Sequence, residues 1–213
     1  MALIGWSEFR NYLGLYRVAA IIGRLGSGKT LLSVAIAHRL MLEHSVLRVW
    51  CNFPVGLEAR ELPDNLEELD KPTIKALMSD NVFLLDEAWD FADSRKSAND
   101  YSGYGAYVRK LRSYFIGASV YPPDKRMRAI TVNRVMSVVG LGWWVYQYLL
   151  FDNSTKGMLI LTNPAEYFGT YDTDWIPEDD AGLSVCFNKL RSNNGIKKVV
   201  GRIGSRASVE QAI

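Results

Sequence analysis

Cysteine and histidine are scarce in this sequence. Its 213 residues include two cysteines, Cys51 and Cys186, and two histidines, His38 and His44. The cysteines form no CxxC pair and no disulfide framework, which fits a reducing compartment. Two histidines offer little material for a zinc site. Disulfide-stapled and zinc-dependent classes of protein are therefore disfavoured.

Long apolar runs are also nearly absent. No signal peptide is expected, because the short uncharged start Met1–Gly5 is soon followed by Glu8 and Arg10. The uncharged run Val135–Phe151 has 17 residues, which is the lower limit for a membrane-spanning helix. Polar and glycine residues interrupt it, and strand-forming residues fill it, so it predicts two buried strands that meet at Gly140–Gly142. We expect no stable membrane insertion.

The overall composition is that of a folded domain. The hydrophobic fraction of 48% and the charged fraction of 23% exclude a disordered chain. At this length, folding buries roughly 70% of the surface of the unfolded chain. The sequence contains no internal repeat, low-complexity tract or linker. It therefore predicts a single domain over residues 1–213, with a basic C-terminal segment at about 187–207.

Segments typical of strands alternate with segments typical of helices. The predicted strands are Tyr16–Ile22, Val46–Phe53, Val82–Leu85 and Tyr114–Val120, and the predicted helices are Thr30–Leu42, Ile74–Met78 and Asn99–Arg112. Later, Trp143–Phe151 and Met158–Leu161 flank a polar tip and predict an antiparallel hairpin. This order predicts an α/β fold with a mainly parallel central sheet flanked by helices.

The segment between the first predicted strand and helix matches the phosphate-loop pattern GxxxxGK[ST]. Glycines let backbone N–H groups turn inward around phosphate oxygens, and the helix start adds its positive dipole end. Lys29 would reach the β- and γ-phosphates, and the Thr30 hydroxyl would bind Mg²⁺. A chance glycine-rich turn is the alternative, but the flanking strand and helix favour a site for ATP and Mg²⁺. The predicted nucleotide-binding residues are Gly23, Arg24, Leu25, Gly26, Ser27, Gly28, Lys29, Thr30 and Leu31.

A second element ends in two carboxylates. The apolar run Val82–Leu85 leads into Asp86 and Glu87, the form of a Walker B strand, which we expect to lie beside the phosphate-loop strand. Asp86 would hold Mg²⁺ through a water molecule. Glu87 would polarise an attacking water as a general base. Because hydrolysis needs such a base, the glutamate favours ATP hydrolysis over phosphoryl transfer to a small molecule.

Basic residues are concentrated in the middle of the chain. Residues 105–128 carry six basic side chains and one acidic one, a local charge of +5. Arg109 and Arg112 are three apart on a predicted helix and would share one face. A solvated helix face is the simpler interpretation. The alternative is an arginine finger supplied to the ATP of a neighbouring subunit. The candidates for this role are Arg95, Arg109, Arg112, Arg126 and Arg128.

The C-terminal segment 187–207 carries a further six basic residues and no acidic one. It would either follow the phosphates of DNA or act only as a solubilising surface segment. With local charges of +5 and +6 and a total of +2, the other residues sum to −9. Charge is therefore segregated along the chain.

Taken together, these features resemble the FtsK/HerA superfamily of DNA-pumping ATPases, and within it the small genome-packaging ATPases of archaeal turreted icosahedral viruses. The resemblance covers about Tyr16 to Thr173. The residues that carry it, besides the phosphate loop, are Asp86–Glu87, Phe91–Arg95, Arg109–Lys110, Phe115–Ser119, Asp124–Arg128 and Ile160–Thr173.

The resemblance implies a RecA-like (ASCE) P-loop fold and a hexameric ring that pumps double-stranded DNA into a preformed capsid. It also implies viral capsid or membrane proteins as partners, and a location in the host cytoplasm or at the packaging vertex of the virion. The family's sensor strand usually ends in a polar residue, often Gln, which senses the γ-phosphate. Ser119, Val120 and Tyr121 occupy those positions here, and Ser119 is the expected substitute.

Other classes share part of the pattern. Zonula occludens toxin-like ATPases of phage assembly have the loop, the Asp-Glu pair and a nearby arginine, but typically a transmembrane helix follows, and none is predicted after Thr173. A small-molecule kinase would predict a lid arginine and no stimulation by DNA. Glu87 argues against a nucleotide-binding scaffold without hydrolysis.

Overall fold

A mixed sheet forms the centre of the computed structural model, which describes residues 2–44, 47–57, 68–86, 104–120, 129–150, 154–171 and 189. Within these ranges the sheet has eight strands, in the order β1-β8-β7-β6-β2-β5-β4-β3. The strands are β1 (Leu3–Ile4), β2 (Val18–Ile22), β3 (Arg48–Cys51), β4 (Asn81–Leu85), β5 (Tyr114–Ser119), β6 (Ile130–Val138), β7 (Trp143–Leu149) and β8 (Thr155–Thr162). The helices are α1 (Trp6–Tyr16), α2 (Lys29–Glu43), α3 (Lys71–Met78) and α4 (Tyr104–Lys110).

The sheet divides into a parallel and an antiparallel half. Strands β6, β2, β5, β4 and β3 are parallel neighbours, whereas β7, β8 and β1 join them by antiparallel pairing. The predicted α/β class, mainly parallel sheet and late hairpin are thus confirmed. Strands β6 and β7 meet at a 3-10 turn over Val139–Leu141 and at Gly142, which has φ +60°. The predicted pair of strands at this point is also confirmed.

Helices cover both faces of the parallel half. In β2, Ala19 and Ile21 face the core that contains α1 and α2, and Val18 and Ala20 face the core that contains α3 and α4. Strands buried on both faces are continuous apolar runs, and for this reason they could be recognised in the sequence. Helix α2 packs on one face of the sheet and α4 on the other, and the carboxyl ends of the parallel strands form the edge at which α/β proteins bind ligands.

The order of the central strands differs from the prediction. We expected the strand before Asp86 to lie beside the phosphate-loop strand, but β5 pairs with both β2 and β4 and separates them. All six residues of β5 are buried, as a central strand requires. The prediction was wrong because chain order does not fix the spatial order of strands.

Helix α1 has no counterpart in the sequence predictions. The predicted strand start at Tyr16 was wrong, since Tyr16 ends α1 and Arg17 adopts a left-handed conformation with φ 61° before β2 begins. Trp6, Phe9 and Leu13 bury one face of this helix. No helix in the described ranges is both long and apolar enough to cross a bilayer.

Candidate nucleotide-binding site

The loop Gly23–Thr30 joins β2 to α2 at the carboxyl edge of the parallel strands. Gly26 and Gly28 have φ values of +72° and +78°, a left-handed conformation that glycine adopts without strain. The N–H of Ser27 donates to the Arg24 carbonyl at 3.1 Å and closes a tight turn. Gly28 is the N-cap of α2 and supplies no side-chain cap, so the first-turn N–H groups and the helix dipole are suited to an anion.

The Lys29 side chain folds back toward this loop. Its side chain is buried, with 7% of the residue exposed, and its Nζ lies 3.4 Å from the Arg24 carbonyl oxygen. An ammonium group held under a loop of backbone N–H groups attracts a phosphate by charge-assisted hydrogen bonding. Arg24 and Leu25 at the loop tip are exposed, whereas the Leu31 side chain is buried in the core. Leu31 therefore has only its backbone N–H to offer a ligand.

Thr30 and Asp86 form a hydrogen bond although the strands that precede them, β2 and β4, are not neighbours in the sheet. The Thr30 hydroxyl donates to Asp86 Oδ2 at 2.7 Å. A hydroxyl and a carboxylate are hard oxygen ligands of the kind Mg²⁺ prefers. The predicted pair of metal-binding residues is therefore brought together, and its donor set fits a magnesium ion.

Asn52 holds the backbone of Asp86 in place. This residue directly follows β3, and its Oδ1 accepts from the Asp86 N–H at 2.9 Å while its Nδ2 donates to the Asp86 carbonyl at 3.0 Å. The two bonds fix the main chain at the point where β4 ends. The sequence predictions missed Asn52, although a polar residue directly after a buried parallel strand was an available signal.

Tyr171 is a further side chain beside Asp86. It forms an isolated antiparallel bridge with Val55, and its ring packs edge-on against Phe53 with centroids 6.4 Å apart. Burial, and secondarily the charge of Asp86, raises the pKa of the Tyr171 hydroxyl above its ordinary value. Tyr171 therefore remains a neutral hydroxyl beside this carboxylate at physiological pH.

Ser119, the expected substitute for the family's sensor residue, lies next to the phosphate loop. It ends β5, pairs with Ile22 of β2, and accepts from the Gly23 N–H through its carbonyl at 3.2 Å. Its side chain is buried. Its sensing role stays a prediction.

Arg109 and Arg112 do not share a helix face as predicted. Helix α4 ends at Lys110, and Arg112 lies beyond it in a left-handed conformation with φ 57°. Leu111 is buried, and the Ser113 N–H donates to the Val108 carbonyl. These two contacts turn the chain out of the helix and into β5. The prediction failed because the helix ends two residues before Arg112.

Both arginines lie far from the loop of their own chain. Arg112 donates to Asp80 Oδ2 at 2.6 Å, and these two residues precede β5 and β4 respectively, at the amino edge of the strands. The six residues of β5 separate this edge from the carboxyl edge by roughly 20 Å. Arg112, and Arg109 at the end of α4 beside it, are therefore not placed to contact a ligand in the loop of their own chain.

Several predicted residues lie outside the described ranges. They are Glu87, Arg95, Arg126, Arg128 and, apart from Lys189, the basic segment 187–207. Lys189 is described, and its Nζ donates to the Leu69 carbonyl at 2.6 Å. The roles assigned to these residues stay predictions.

Aromatic side chains of β7 contact the last glycine of the loop. The Tyr146 hydroxyl donates to the Gly28 carbonyl at 3.3 Å. The Trp144 ring lies so close that a Cβ at Gly28 would overlap it. Glycine is thus required here both by backbone conformation and by space, which the loop pattern alone does not reveal.

The site as a whole combines a loop of backbone donors, a buried ammonium group and a hydroxyl–carboxylate pair. Such groups are suited to a phosphate chain and a divalent cation. Neither a scan against models of protein families nor a search of the curated proteins found a match to this chain.

Proposed function

We propose that this protein is a P-loop ATPase that binds ATP with Mg²⁺. The observation that carries the proposal is the 2.7 Å hydrogen bond between Thr30 and Asp86. It joins a complete GxxxxGK[ST] loop to a carboxylate at the end of a separate strand, and P-loop NTPases hold Mg²⁺ with this pair of residue types. A glycine-rich turn that matched the loop pattern by chance would have no reason to face such a carboxylate.

Each group of the site has a part in the proposed reaction. The loop N–H groups and Lys29 bind the β- and γ-phosphates, and Thr30 and Asp86 hold the metal. Bound Mg²⁺ would neutralise charge on the phosphate oxygens. Glu87, the next residue after Asp86, accepts a proton from the water that attacks the γ-phosphorus. The bond from that phosphorus to the bridging oxygen breaks, and ADP and phosphate are released.

We further propose that ATP hydrolysis drives translocation of double-stranded DNA by a hexameric ring, in the packaging of a viral genome. The basic segments 105–128 and 187–207 and the resemblance to packaging ATPases support this function. Because Arg109 and Arg112 lie near the amino edge of the sheet, either could act as a finger only on the site of a neighbouring subunit. Capsid or membrane proteins of the virus would then dock the motor.

The test is the ATPase rate of the purified protein with and without duplex DNA. We expect Mg²⁺-dependent hydrolysis that duplex DNA stimulates, less so as salt increases, together with nucleotide-dependent oligomers. Lys29→Ala should abolish turnover. If duplex DNA does not change the ATPase rate and the protein stays monomeric with nucleotide, the translocase is contradicted. A small-molecule kinase is then favoured. Absence of any Mg²⁺-dependent hydrolysis contradicts the ATPase itself.

A further inference from the structure

The two sides of the phosphate loop differ in chemistry. Strand β2 has β5 and β4 on one side and β6 and β7 on the other. The Thr30–Asp86 contact places the metal-binding pair on the β4 side. A nucleotide whose γ-phosphate lies at this pair would have its other end on the opposite side of the loop. The rest of the nucleotide then extends toward β6 and β7.

Two aromatic rings lie on the β7 side. The Trp144 ring rests against Gly28 of the loop. The Phe168 ring packs against it, with centroids 6.1 Å apart and an interplanar angle of 51°. Phe168 is nevertheless 59% exposed. A single exposed apolar residue needs no explanation, but here an exposed ring packs on a second ring that lies against the phosphate loop, and its exposed face is available to a planar ligand.

Phe168 is held firmly although it is exposed. The preceding Tyr167 is buried, and its hydroxyl lies 3.2 Å from His38 Nδ1 on α2. On the other side, the Thr170 carbonyl accepts from the Gly56 N–H at 2.6 Å. The Phe168 N–H donates to the Ala165 carbonyl at 3.1 Å. A ring on a turn fixed at both ends loses little conformational entropy when it binds a ligand.

We propose that Trp144 and Phe168 form the surface on which the base of the bound nucleotide stacks. The inference rests on the proposed function, and it names the substrate class as a purine nucleoside triphosphate. Stacking on aromatic side chains recognises any base by its π face, and a purine offers a larger face than a pyrimidine. The loop then binds the phosphates, and Phe168 distinguishes a nucleotide from a bare phosphate chain.

The test measures, by calorimetry with Mg²⁺ present, the binding of ATP and of inorganic tripolyphosphate, which has the phosphates without a base. Phe168→Ala should weaken ATP binding about tenfold, which corresponds to about 1.4 kcal/mol, within the range of base–aromatic stacking. Tripolyphosphate should bind unchanged, and Phe168→Trp should restore ATP affinity. Leu15→Ala is the matched control, because it also removes an exposed apolar side chain, here on α1. It should change the affinity for neither ATP nor tripolyphosphate.

The possible failures are distinct. Unchanged ATP affinity in Phe168→Ala, or an equal loss for both ligands, overturns the stacking surface and leaves the phosphate site standing. Wild-type protein that binds neither ligand overturns the proposed function and the stacking surface with it. Lys29→Ala should weaken both ligands, which identifies the binding measured as binding to the loop.

Discussion

At the scale of single residues, the site depends on side chains that come from distant parts of the chain. Thr30 lies in the first turn of α2, Asp86 follows β4 and Asn52 follows β3. Hydrogen bonds of 2.7 to 3.0 Å connect all three. The hydrogen bonds of Asn52 reach the main chain of Asp86, so we expect it to act by positioning the carboxylate that contacts Thr30.

We predict that Asn52→Ala raises the Mg²⁺ concentration needed for half-maximal ATPase activity. Residues that orient a metal ligand from behind typically contribute about 10- to 100-fold in metal affinity, and we expect a change of that order. ATP binding without Mg²⁺ should stay near the wild-type value. The measurement is a magnesium titration of the ATPase rate.

Ser79→Ala provides the control for this variant. It removes a hydrogen bond to the Lys75 carbonyl at the end of α3, away from Asp86. It should leave the magnesium dependence unchanged. If Asn52→Ala lowers the rate and the free energy of unfolding but not the magnesium dependence, Asn52 has only a structural role.

At the scale of elements, the phosphate loop is packed between α2 and β7. Gly26 and Gly28 both have left-handed φ values, but they differ in their surroundings. Nothing lies within 4 Å of a Cβ built at Gly26, whereas a Cβ at Gly28 overlaps Trp144. The pair therefore separates backbone strain from crowding.

We predict that Gly26→Ala lowers the free energy of unfolding by about 1–2 kcal/mol, the cost of a left-handed non-glycine residue. Gly28→Ala should cost about 1–3 kcal/mol more, because the methyl group forces Trp144 to move. Urea unfolding followed by circular dichroism measures both. If both variants lose the same free energy of unfolding, the Trp144 ring moves aside at no energetic cost.

Much of the element pattern was predictable from sequence, because strands buried on both faces are apolar runs and the loop has a fixed pattern. The helix predicted at Thr30–Leu42 is observed at Lys29–Glu43. Strand order, the end of α4 and helix α1 were not predictable in this way, since packing between distant segments decides them. Asn52 was missed although it directly follows a buried strand, and Phe168 was noted only within the segment Ile160–Thr173, because the contacts that give each residue its place are tertiary.

At the scale of the whole molecule, the sheet separates the phosphate loop from the two candidate arginines. The phosphate loop lies at the carboxyl edge, and Arg109 and Arg112 lie near the amino edge, one strand length away. A closed ring with a heterologous interface can bring one edge of a subunit to the other edge of its neighbour. The proposed arginine finger requires this arrangement.

We predict that Arg109→Ala and Lys29→Ala subunits, each inactive alone, regain part of the DNA-stimulated ATPase activity when mixed. Some interfaces in a mixed ring would combine an intact loop with an intact arginine. A finger contributes about 10³-fold or more to kcat, so the rescue should stand well above background. Activity is measured across mixing ratios.

Lys75→Ala is the control for the arginine variant, because it removes an exposed basic side chain on α3 that lies outside the basic segments 105–128 and 187–207. It should retain nearly full activity. A mixture no more active than its separate components excludes Arg109 as a finger in trans. The same mixing series with Arg112→Ala then examines the other described candidate.

The turn that carries Phe168 also bears on the order in which the site is completed. Tyr167 meets His38, which is 129 residues earlier in the sequence, and Tyr171 bridges Val55 near the far edge of the sheet. During synthesis, Lys29, Thr30 and Asp86 leave the ribosome long before these partners exist. A nascent chain therefore carries the loop motif and Asp86 before the turn that bears Phe168 exists, and the proposed stacking surface is the last part of the proposed nucleotide site to be completed.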